Sequence, residues 1–474
     1  MTPGALPGRT AARNAEGPDA ARRGRWIRRL CGAVMVASVA EFVIATPGVQ
    51  IHRLPHSTDF ATYYLAGAQT RDHESPYERA ALAARGRTLG FDYDQFPFLY
   101  PPPFALALQP LARLDYPRAR QVWMLGATAW LLGAMAVMVQ LVRRQAAWLG
   151  IESPAAVWLV LGAFFPAALN STSVHNDVRA GSVGCLLFLC AATIALQLLP
   201  RWAPRRPAPG EILPGTATSH AGWSDAWLAL ALVVATQAKL VPLVFVPLVA
   251  WRGRWRAASW TVMGIVLLLV PALVHWGPGI FVSYVRDGLL PSTHAEVDPA
   301  SNQSLDAVLG RLLVHTEWAQ SPIDAPALKR ILSALATLAV GLVTLRRLRR
   351  PRRAAALLPV EFGYVVLAVL LVMKLTWVQT LTMMLFVWPA VLLAVWRALE
   401  NGANWARRAA VVGSASFFLS SAHVPILWPG LQHGPLVVVT AVHCVGILGL
   451  WATCGWILAH ENDVVGTASL RGAQ

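Results

Sequence analysis

The chain has 474 residues, of which 56% are hydrophobic and only 14% are charged, and its mean hydropathy is +0.49. Soluble domains contain about a quarter charged residues, so this composition excludes an ordinary soluble domain and indicates a polytopic, all-α membrane protein. The net charge of +16 sits at the edges of apolar stretches, as the positive-inside rule describes. No basic groove interleaved with aromatic residues supports nucleic-acid binding, so the expected environment is the lipid bilayer.

Apolar segments fill most of the chain. Residues 1–24 lack apolar periodicity and are expected to form a disordered cytoplasmic tail, and residues 461–474 are expected to form a cytoplasmic tail at the other end. A spanning helix needs about 20 apolar residues, and residues 25–460 are expected to form one transmembrane domain with about twelve such helices. The candidates lie near 30–49, 97–114, 121–142, 154–170, 181–199, 225–250, 257–275, 329–345, 355–373, 376–396, 408–428 and 435–458.

The first candidate follows an arginine cluster and is interpreted as a signal anchor. A cleaved secretory signal is the alternative, but Glu41 interrupts its apolar core and no clean cleavage site follows. Basic connections at 252–256, 346–353 and 397–408 predict that these segments and the amino terminus face the cytoplasm. Two large loops, 50–96 and 276–328, then face outside.

Two sites conflict with this topology. With twelve spans, Arg143-Arg144 and the arginines at 201–206 fall on the external side, against the positive-inside rule. If the short, Pro-rich segment 97–114 were re-entrant, both groups of arginines would face the cytoplasm, but the strongly basic segment 252–256 would then face outside. We therefore expect 97–114 to span.

The first external loop carries a carboxylate beside aromatic residues. Asp59 begins the sequence Asp-Phe-Ala-Thr-Tyr-Tyr, whose spacing predicts an amphipathic helix along the membrane surface. Asp59 is interpreted either as a helix N-cap or as a general base toward a sugar hydroxyl. Tyr63, Tyr64 and Tyr100 would suit sugar recognition, although interfacial aromatics are also common membrane anchors.

Lysine is rare here, since 37 of the 40 basic residues are arginine. Lys239 lies within an apolar segment beside a proline, and Lys374 lies at an external helix end. Charged groups inside apolar segments are costly and therefore candidates for function, so either lysine is expected to bind an anionic lipid phosphate. Snorkelling of the side chain to the interface is the alternative. Arg179 is interpreted as a similar cation or as a helix cap paired with Asp177.

The second external loop opens with the polar cluster Asn302-Gln303 and continues to Arg311. The five cysteines lie in or beside apolar runs without paired spacing, so they are expected to be small buried hydrophobes. No metal motif is present, and neither a metal nor a cofactor is expected.

Together these segments resemble glycosyltransferase family 87, part of the GT-C superfamily of membrane glycosyltransferases. The resemblance runs over most of residues 30–400 and rests on Asp59 with Tyr63-Tyr64, Ser75-Pro76-Tyr77, Tyr100-Pro101-Pro102, Lys239 with Pro242 and the arginines at 252–256, and Asn302-Gln303 with Arg311. It implies a GT-C fold and inverting transfer of a sugar, mannose or arabinofuranose, from a polyprenyl-phosphate donor to a glycolipid or polysaccharide hydroxyl. The reaction would occur on the periplasmic face of a bacterial inner membrane.

The resemblance also implies roles for individual residues. Asp59 would deprotonate the acceptor. The donor phosphate would be held by residues from the set Lys239, Arg179, Arg311, Lys374 and Gln379. The sugar and acceptor would contact residues from the set Tyr63, Tyr64, Tyr100, Asn302, Gln303 and Trp377.

The chain departs from the family pattern at two places. Where members often carry Gly-Gln-x-Asn, this chain has Gly181-Ser182-Val183-Gly184, and where they often carry Trp-x-His, it has Trp377-Val378-Gln379. A glutamine forms hydrogen bonds but carries neither a proton nor a charge. These departures indicate a changed donor-phosphate site, or a different donor or acceptor. A lipid or sugar transporter and a catalytically inactive scaffold subunit are the alternatives.

Overall fold

The structure, a computed structural model, describes residues 18–48, 58–91, 97–200, 221–290, 300–316, 319–321, 323–349, 353–424, 429–431 and 433–465. Over these residues the chain forms helices and isolated β-bridges but no β-strand. Most of the predicted tails, 1–24 and 461–474, lie outside the described residues, although a helix already includes Pro18. The prediction of an all-helical polytopic membrane protein is confirmed.

The helices of the first half are α1 Pro18–Val43, α2 Thr58–Arg71, α3 Arg79–Thr88, α4 Pro102–Leu108, α5 Tyr116–Leu149, α6 Pro154–Leu169, α7 Thr172–Ala180, α8 Gly184–Leu198, α9 Ala221–Ala238, α10 Phe245–Trp251 and α11 Trp255–Trp276. Those of the second half are α12 Gly279–Ser283, α13 Leu305–Leu313, α14 Pro326–Leu348, α15 Leu358–Val372, α16 Val387–Glu400, α17 Trp405–Ser421, α18 Val442–Ala459 and α19 Glu461–Val465. Short 3-10 turns precede several of them, among them Val241–Val244, Val378–Met384 and Gly434–Ala441.

Seven described helical segments are long and apolar enough to cross a membrane: Arg22–Thr46, Tyr116–Leu149, Trp255–Trp276, Pro326–Leu348, Ala355–Val372, Val378–Glu400 and Gly434–Ala459. The pair α6 and α7 passes the same test together but bends by 44° at its break. Segments α8 and Val241–Trp251 are apolar but shorter.

The segment 97–114 does not form the predicted spanning helix. It contains the seven-residue helix α4 and the 3-10 turn Leu111–Arg113. At 1.5 Å per residue, α4 is about 10 Å long, whereas the hydrocarbon core is about 30 Å thick. Its prolines start a short helix that packs against α2, where a Cβ on Gly67 would lie less than 3.0 Å from the carbonyl oxygen of Leu108.

The segment 225–250 is also different from the predicted single span, because it folds back on itself. Helix α9 ends at Ala238, and the chain continues through a 3-10 turn into α10. After α10, Arg254 donates to the carboxylate of Asp225 (2.6 Å), to Ser224 (2.9 Å) and to the carbonyl oxygen of Gln197 (3.0 Å). The chain therefore returns to the end at which α9 began, and Lys239 lies at the tip of a helical hairpin.

The segment 97–114 therefore loses a predicted span, and Val241–Trp251, the second leg of the hairpin, is apolar but shorter than a span. Arg144 donates to the carbonyl oxygen of Leu196, and Arg254 donates to that of Gln197. Arg143-Arg144 and the basic segment 252–256 therefore lie at the same end of the bundle. We call it the basic end. At the opposite end, which we call the loop end, Trp276 donates to the carbonyl oxygen of Glu74. The conflict at Arg143-Arg144 thus disappears, while residues 201–206 lie outside the described part of the chain.

Helix α2 is not the surface-lying amphipathic helix that the sequence predicts. Every residue from 60 to 70 is buried. Aromatic rings cover it: Tyr63 packs edge-to-face on Phe104 and Trp123, and Tyr64 on Tyr116. The aromatic residues do have the helical spacing that the sequence predicts. Their rings, however, are surrounded by protein and do not form one lipid-facing side.

An ion network stabilises the basic end. Arg353 donates to Glu361 (2.8 Å) and to Glu461 (3.1 Å), and Arg252 also pairs with Glu361. All four side chains are almost completely buried. Because charges in an apolar environment require partners, this network fixes the end of α10 and the starts of α15 and α19 relative to one another.

We expect Glu361→Gln to destabilise the fold by about 3–5 kcal/mol, because it leaves buried arginines without their shared carboxylate. Thermal unfolding in detergent is the measurement. Glu400→Gln, which breaks the more exposed pair with Arg397, is the control and should cost about 0–1 kcal/mol. Equal effects of the two substitutions would contradict the structural role of the network.

Candidate functional site

Asp59 lies in the first turn of α2, where the positive end of the helix dipole favours a carboxylate. Its Oδ2 atom lies 3.4 Å from Nε2 of Gln379, the second residue of the 3-10 turn Val378–Met384. Two residues that are 320 positions apart in the sequence are therefore brought together at the loop end.

An aromatic wall lies beside this carboxylate. The hydroxyl groups of Tyr63 and Tyr100 are 2.5 Å apart, and their rings pack edge-to-face with centroids 5.0 Å apart. Burial raises the pKa of Tyr63 well above its ordinary value, with the hydroxyl of Tyr100 and the charge of Asp59 acting in the same direction. The raised pKa keeps the phenol of Tyr63 neutral. Tyr63 can therefore donate or accept a hydrogen bond, but it cannot serve as an anionic base at neutral pH.

A second carboxylate, Asp177 of α7, faces the same region. It accepts the backbone N–H groups of Gly184 and Cys185, both at 2.7 Å, and so satisfies the first turn of α8. Asp177 is fully buried and lies within electrostatic reach of Asp59. Its hydrogen bonds assign it a structural role at the start of α8.

Lys239 supplies the positive charge. Its Nζ atom donates to Oγ1 of Thr380 at 2.9 Å, next to Gln379 in the chain. Lys239 lies within electrostatic reach of both Asp59 and Asp177. The site therefore combines two carboxylates and one ammonium group at the meeting point of several helix ends.

The departures from the family pattern surround this same site. Gln379 contacts Asp59, and the side chain of Ser182 lies near enough to Tyr63 to influence its pKa. A Cβ on Gly184 would lie less than 3.0 Å from the carbonyl oxygen of Gln379 and from the hydroxyl of Thr382. Ser182 and Gly184, which are far from Gln379 in the sequence, therefore lie close to it in space.

Other predicted site residues form a neighbouring group that joins residues 300–313 to the rest of the bundle. Asn302 forms a β-bridge with Trp377, and its side chain accepts the N–H of Thr376 at 2.9 Å. Gln303 donates to the carbonyl oxygen of Thr440 and accepts the N–H of Cys444. These contacts place the segment that leads into Gln379.

Arg311 is fully buried within this neighbouring group. It donates to the carbonyl oxygen of Asn302 at 2.7 Å and to Oγ1 of Thr440 at 3.1 Å. These bonds to neutral oxygens give the guanidinium a structural environment between α13 and the turn before α18.

Lys374 forms an ion triad rather than a contact with the site around Asp59. Asp306 of α13 pairs with Lys374 and, at 2.9 Å, with Lys329 of α14. Burial raises the pKa of Asp306, but the hydrogen bonds from Lys374 and Lys329 outweigh this effect, so the pKa lies below its ordinary value. Two of the three lysines in the chain therefore hold α13 against its neighbours.

Tyr64 points away from the site around Asp59, and Arg179 is exposed. Tyr64 donates its hydroxyl to the carbonyl oxygen of Leu114 at 2.8 Å, which ties α2 to the start of α5. Arg179 is exposed in the last turn of α7. Asp177, its expected partner, instead binds the start of α8.

Sequence analysis assigned no role in the site to Asp177 and Thr380. An ionisable residue flanked by apolar segments indicates either function or a structural polar contact. The sequence around Asp177 shows this pattern, so Asp177 could have been identified as a candidate. Thr380 carries no such signal, because threonine is common in apolar helices. Only its approach to Lys239 identifies it.

The Asp306 triad predicts a pH-dependent stability. The folded pKa of Asp306 is lowered, so its stabilisation is complete above the pKa of the unfolded chain, about 3.9, and is lost as pH falls toward the lower folded value. We expect Asp306→Asn to lower the unfolding temperature at pH 7, with a difference from wild type that shrinks below about pH 4. Glu152→Gln, which alters an exposed carboxylate, is the control. A pH-independent difference would contradict the ion triad.

Comparison with known proteins places the chain in a family. No curated protein and no solved structure matches it. The family model described as glycosyltransferase family 87 matches residues 98–373, more than half of the chain. The matched range includes Tyr100, Asp177 and Lys239, whereas Asp59 precedes it and Gln379 follows it. The membrane helices and this match agree with the resemblance found in the sequence, and the chain belongs to glycosyltransferase family 87.

Proposed function

We propose that this membrane glycosyltransferase moves a sugar from a polyprenyl-phosphate donor to a hydroxyl group of a glycolipid or polysaccharide. Mannose and arabinofuranose are the proposed sugars. The observation that carries the proposal is the placement of Asp59 within electrostatic reach of Lys239, one at the start of a buried helix and the other at the tip of an apolar hairpin. A carboxylate and a cation are the two groups that such a transfer requires.

The proposed reaction is a single displacement. The acceptor oxygen attacks the anomeric carbon while the bond from that carbon to the donor phosphate oxygen breaks, which inverts the configuration. Asp59 takes the proton of the acceptor hydroxyl. Lys239, held by Thr380, stabilises the negative charge that develops on the departing lipid phosphate. The activated bond is already present in the lipid-linked sugar, so the proposal involves no cofactor.

The neutral Tyr63–Tyr100 pair supports sugar binding beside the carboxylate. Aromatic faces pack on the apolar faces of sugar rings, and phenol hydroxyls bond sugar hydroxyls. Trp377 lies two residues before Gln379 in the chain and forms a β-bridge with Asn302. Both residues are proposed to line the acceptor side of the site.

The proposed orientation follows the positive-inside rule. Arg144, Arg252, Arg254 and Arg353 lie at the basic end, which we place in the cytoplasm. The loop end, with Asp59 and Lys239, would then face the periplasm of a bacterial inner membrane. Family membership and the polar site at helix ends favour this enzyme over a transporter, although both would contain a broken helix with a charged residue.

We expect Asp59→Asn to retain the fold and to lose about 10²–10⁴-fold in transfer rate, because the amide cannot accept the acceptor proton. Transfer of labelled sugar from polyprenyl-phosphate mannose, and separately arabinose, to membrane lipids is the measurement. Asp72→Asn, which changes a partly exposed carboxylate just beyond the other end of α2, should transfer at the wild-type rate. Wild-type transfer by Asp59→Asn would overturn the assignment of the base.

Lys239→Gln is expected to reduce kcat/KM for the lipid-phosphate donor by about 10²–10³-fold, the usual effect of losing one group that stabilises developing charge. Competitive inhibition by free polyprenyl phosphate should weaken in parallel, since that product carries the phosphate. Lys239→Arg keeps the charge and should recover part of both losses. Unchanged inhibition in Lys239→Gln would place the phosphate elsewhere.

A further inference from the structure

We infer that Gln379 is a positioning residue that holds the Asp59 carboxylate in the orientation of a base, and that the missing side chain at Gly184 creates the space for this contact. The inference rests on the proposed function, in which Asp59 is the base. It assigns to Gln379 a role toward the carboxylate, in place of the predicted role toward the donor phosphate.

The backbone of Gln379 is anchored on both sides, so the position from which its side chain departs is fixed. The N–H of Val378 donates to the carbonyl oxygen of Ser301 at 3.0 Å. The hydroxyl of Thr382 donates to the carbonyl oxygen of Gln379 itself. The next residue, Thr380, is bound by Lys239. A side chain on so constrained a segment loses little further freedom when it contacts Asp59.

Gly184 determines how closely this segment approaches α8. A Cβ at position 184 would lie less than 3.0 Å from the carboxylate of Asp177, from the hydroxyl of Thr382 and from the carbonyl oxygen of Gln379. Any side chain there would push the turn that carries Gln379 away from α8. The glycine and the glutamine, which are separate departures in the sequence, therefore form one structural unit.

The chemistry of the amide suits a positioning role. Of its two orientations, only the one with Nε2 toward Asp59 donates a hydrogen bond to the carboxylate. An amide neither accepts the proton from Asp59 nor neutralises its charge, so the carboxylate stays available as a base. A hydrogen bond to the charged form favours ionisation.

Charged and titratable groups around Asp59 act in both directions. Asp177 of α7 repels negative charge on Asp59, Lys239 at the hairpin tip attracts it, and Tyr63 and Tyr100 are neutral neighbours. The donor amide of Gln379 therefore adds to the effect of Lys239 and opposes that of Asp177. Without it, Asp59 would take up its proton at higher pH.

The test is the pH profile of transfer by Gln379→Leu, which has similar volume and no donor. The acid limb of kcat/KM should move to higher pH, so that activity falls about tenfold on that limb, while the plateau above it stays within a few-fold of wild type. An equal loss at every pH, with an unmoved limb, would show that Gln379 acts on the substrate and would overturn the inference.

A second measurement needs no substrate. Infrared difference spectra of the protein between acid and neutral pH, compared with those of Asp59→Asn, identify the carboxyl band of Asp59. That band should titrate at higher pH in Gln379→Leu than in wild type. An unchanged titration overturns the positioning role even if no donor is turned over. Loss of the proposed function would instead appear as absent transfer by a wild-type protein whose Asp59 band still responds to Gln379.

Gly184→Ala tests the spatial half of the inference. It should shift the acid limb in the same direction as Gln379→Leu, because the turn that carries Gln379 moves. Gly446→Ala is the matched control, since a Cβ there would also lie less than 3.0 Å from backbone atoms, in this case those of Ser416 and Ser420, away from the site. An acid limb that moves equally in both alanine variants, or in neither, would contradict the role of Gly184.

Discussion

A charged ammonium group at the tip of an apolar hairpin is the constraint on which this architecture depends. Lys239 requires opposite charge and hydrogen-bond partners, because an uncompensated charge in an apolar environment costs several kcal/mol. The carboxylates of Asp59 and Asp177 and the hydroxyl of Thr380 meet this requirement, and each comes from a different helical element. The need to balance one charge thus brings α2, α7 and the turn before α16 to the same point.

The site is built from helix ends rather than from helix faces. Helix ends leave backbone N–H and C=O groups without partners, and here those groups are used: Asp177 binds the first N–H groups of α8, and Asp59 lies in the first turn of α2. Such a site concentrates polar groups while the surrounding helices remain apolar. Close approach is possible because Gly184 has no side chain.

The hydropathy of the chain predicts the helical class and most of the long helices, and resemblance predicts the family. Sequence patterns fail where tertiary packing decides the outcome. Composition does not distinguish a spanning helix from the segment 97–114, in which the helix has only seven residues. Nor does it distinguish a single span from the hairpin around Lys239. The structure brings together five of the residues that the sequence singles out as site candidates: Asp59, Tyr63, Tyr100, Lys239 and Gln379. The contacts among them could not be predicted, because they depend on packing between distant parts of the chain. Arg311 and Lys374 carry the same charge as Lys239, and only their partners place them outside that group.

The clamp formed by Arg254 at the base of the hairpin has a mechanical consequence. Bonds to Asp225, Ser224 and Gln197 fix both legs of the hairpin to α8 at the basic end, so the tip cannot slide along the bundle axis. The long helices Trp255–Trp276 and Pro326–Leu348, in contrast, bury few of their residues inside the protein. Because the bonds of Arg254 hold the base of the hairpin, the depth of the Lys239 charge is set by the protein rather than by the thickness of the lipid.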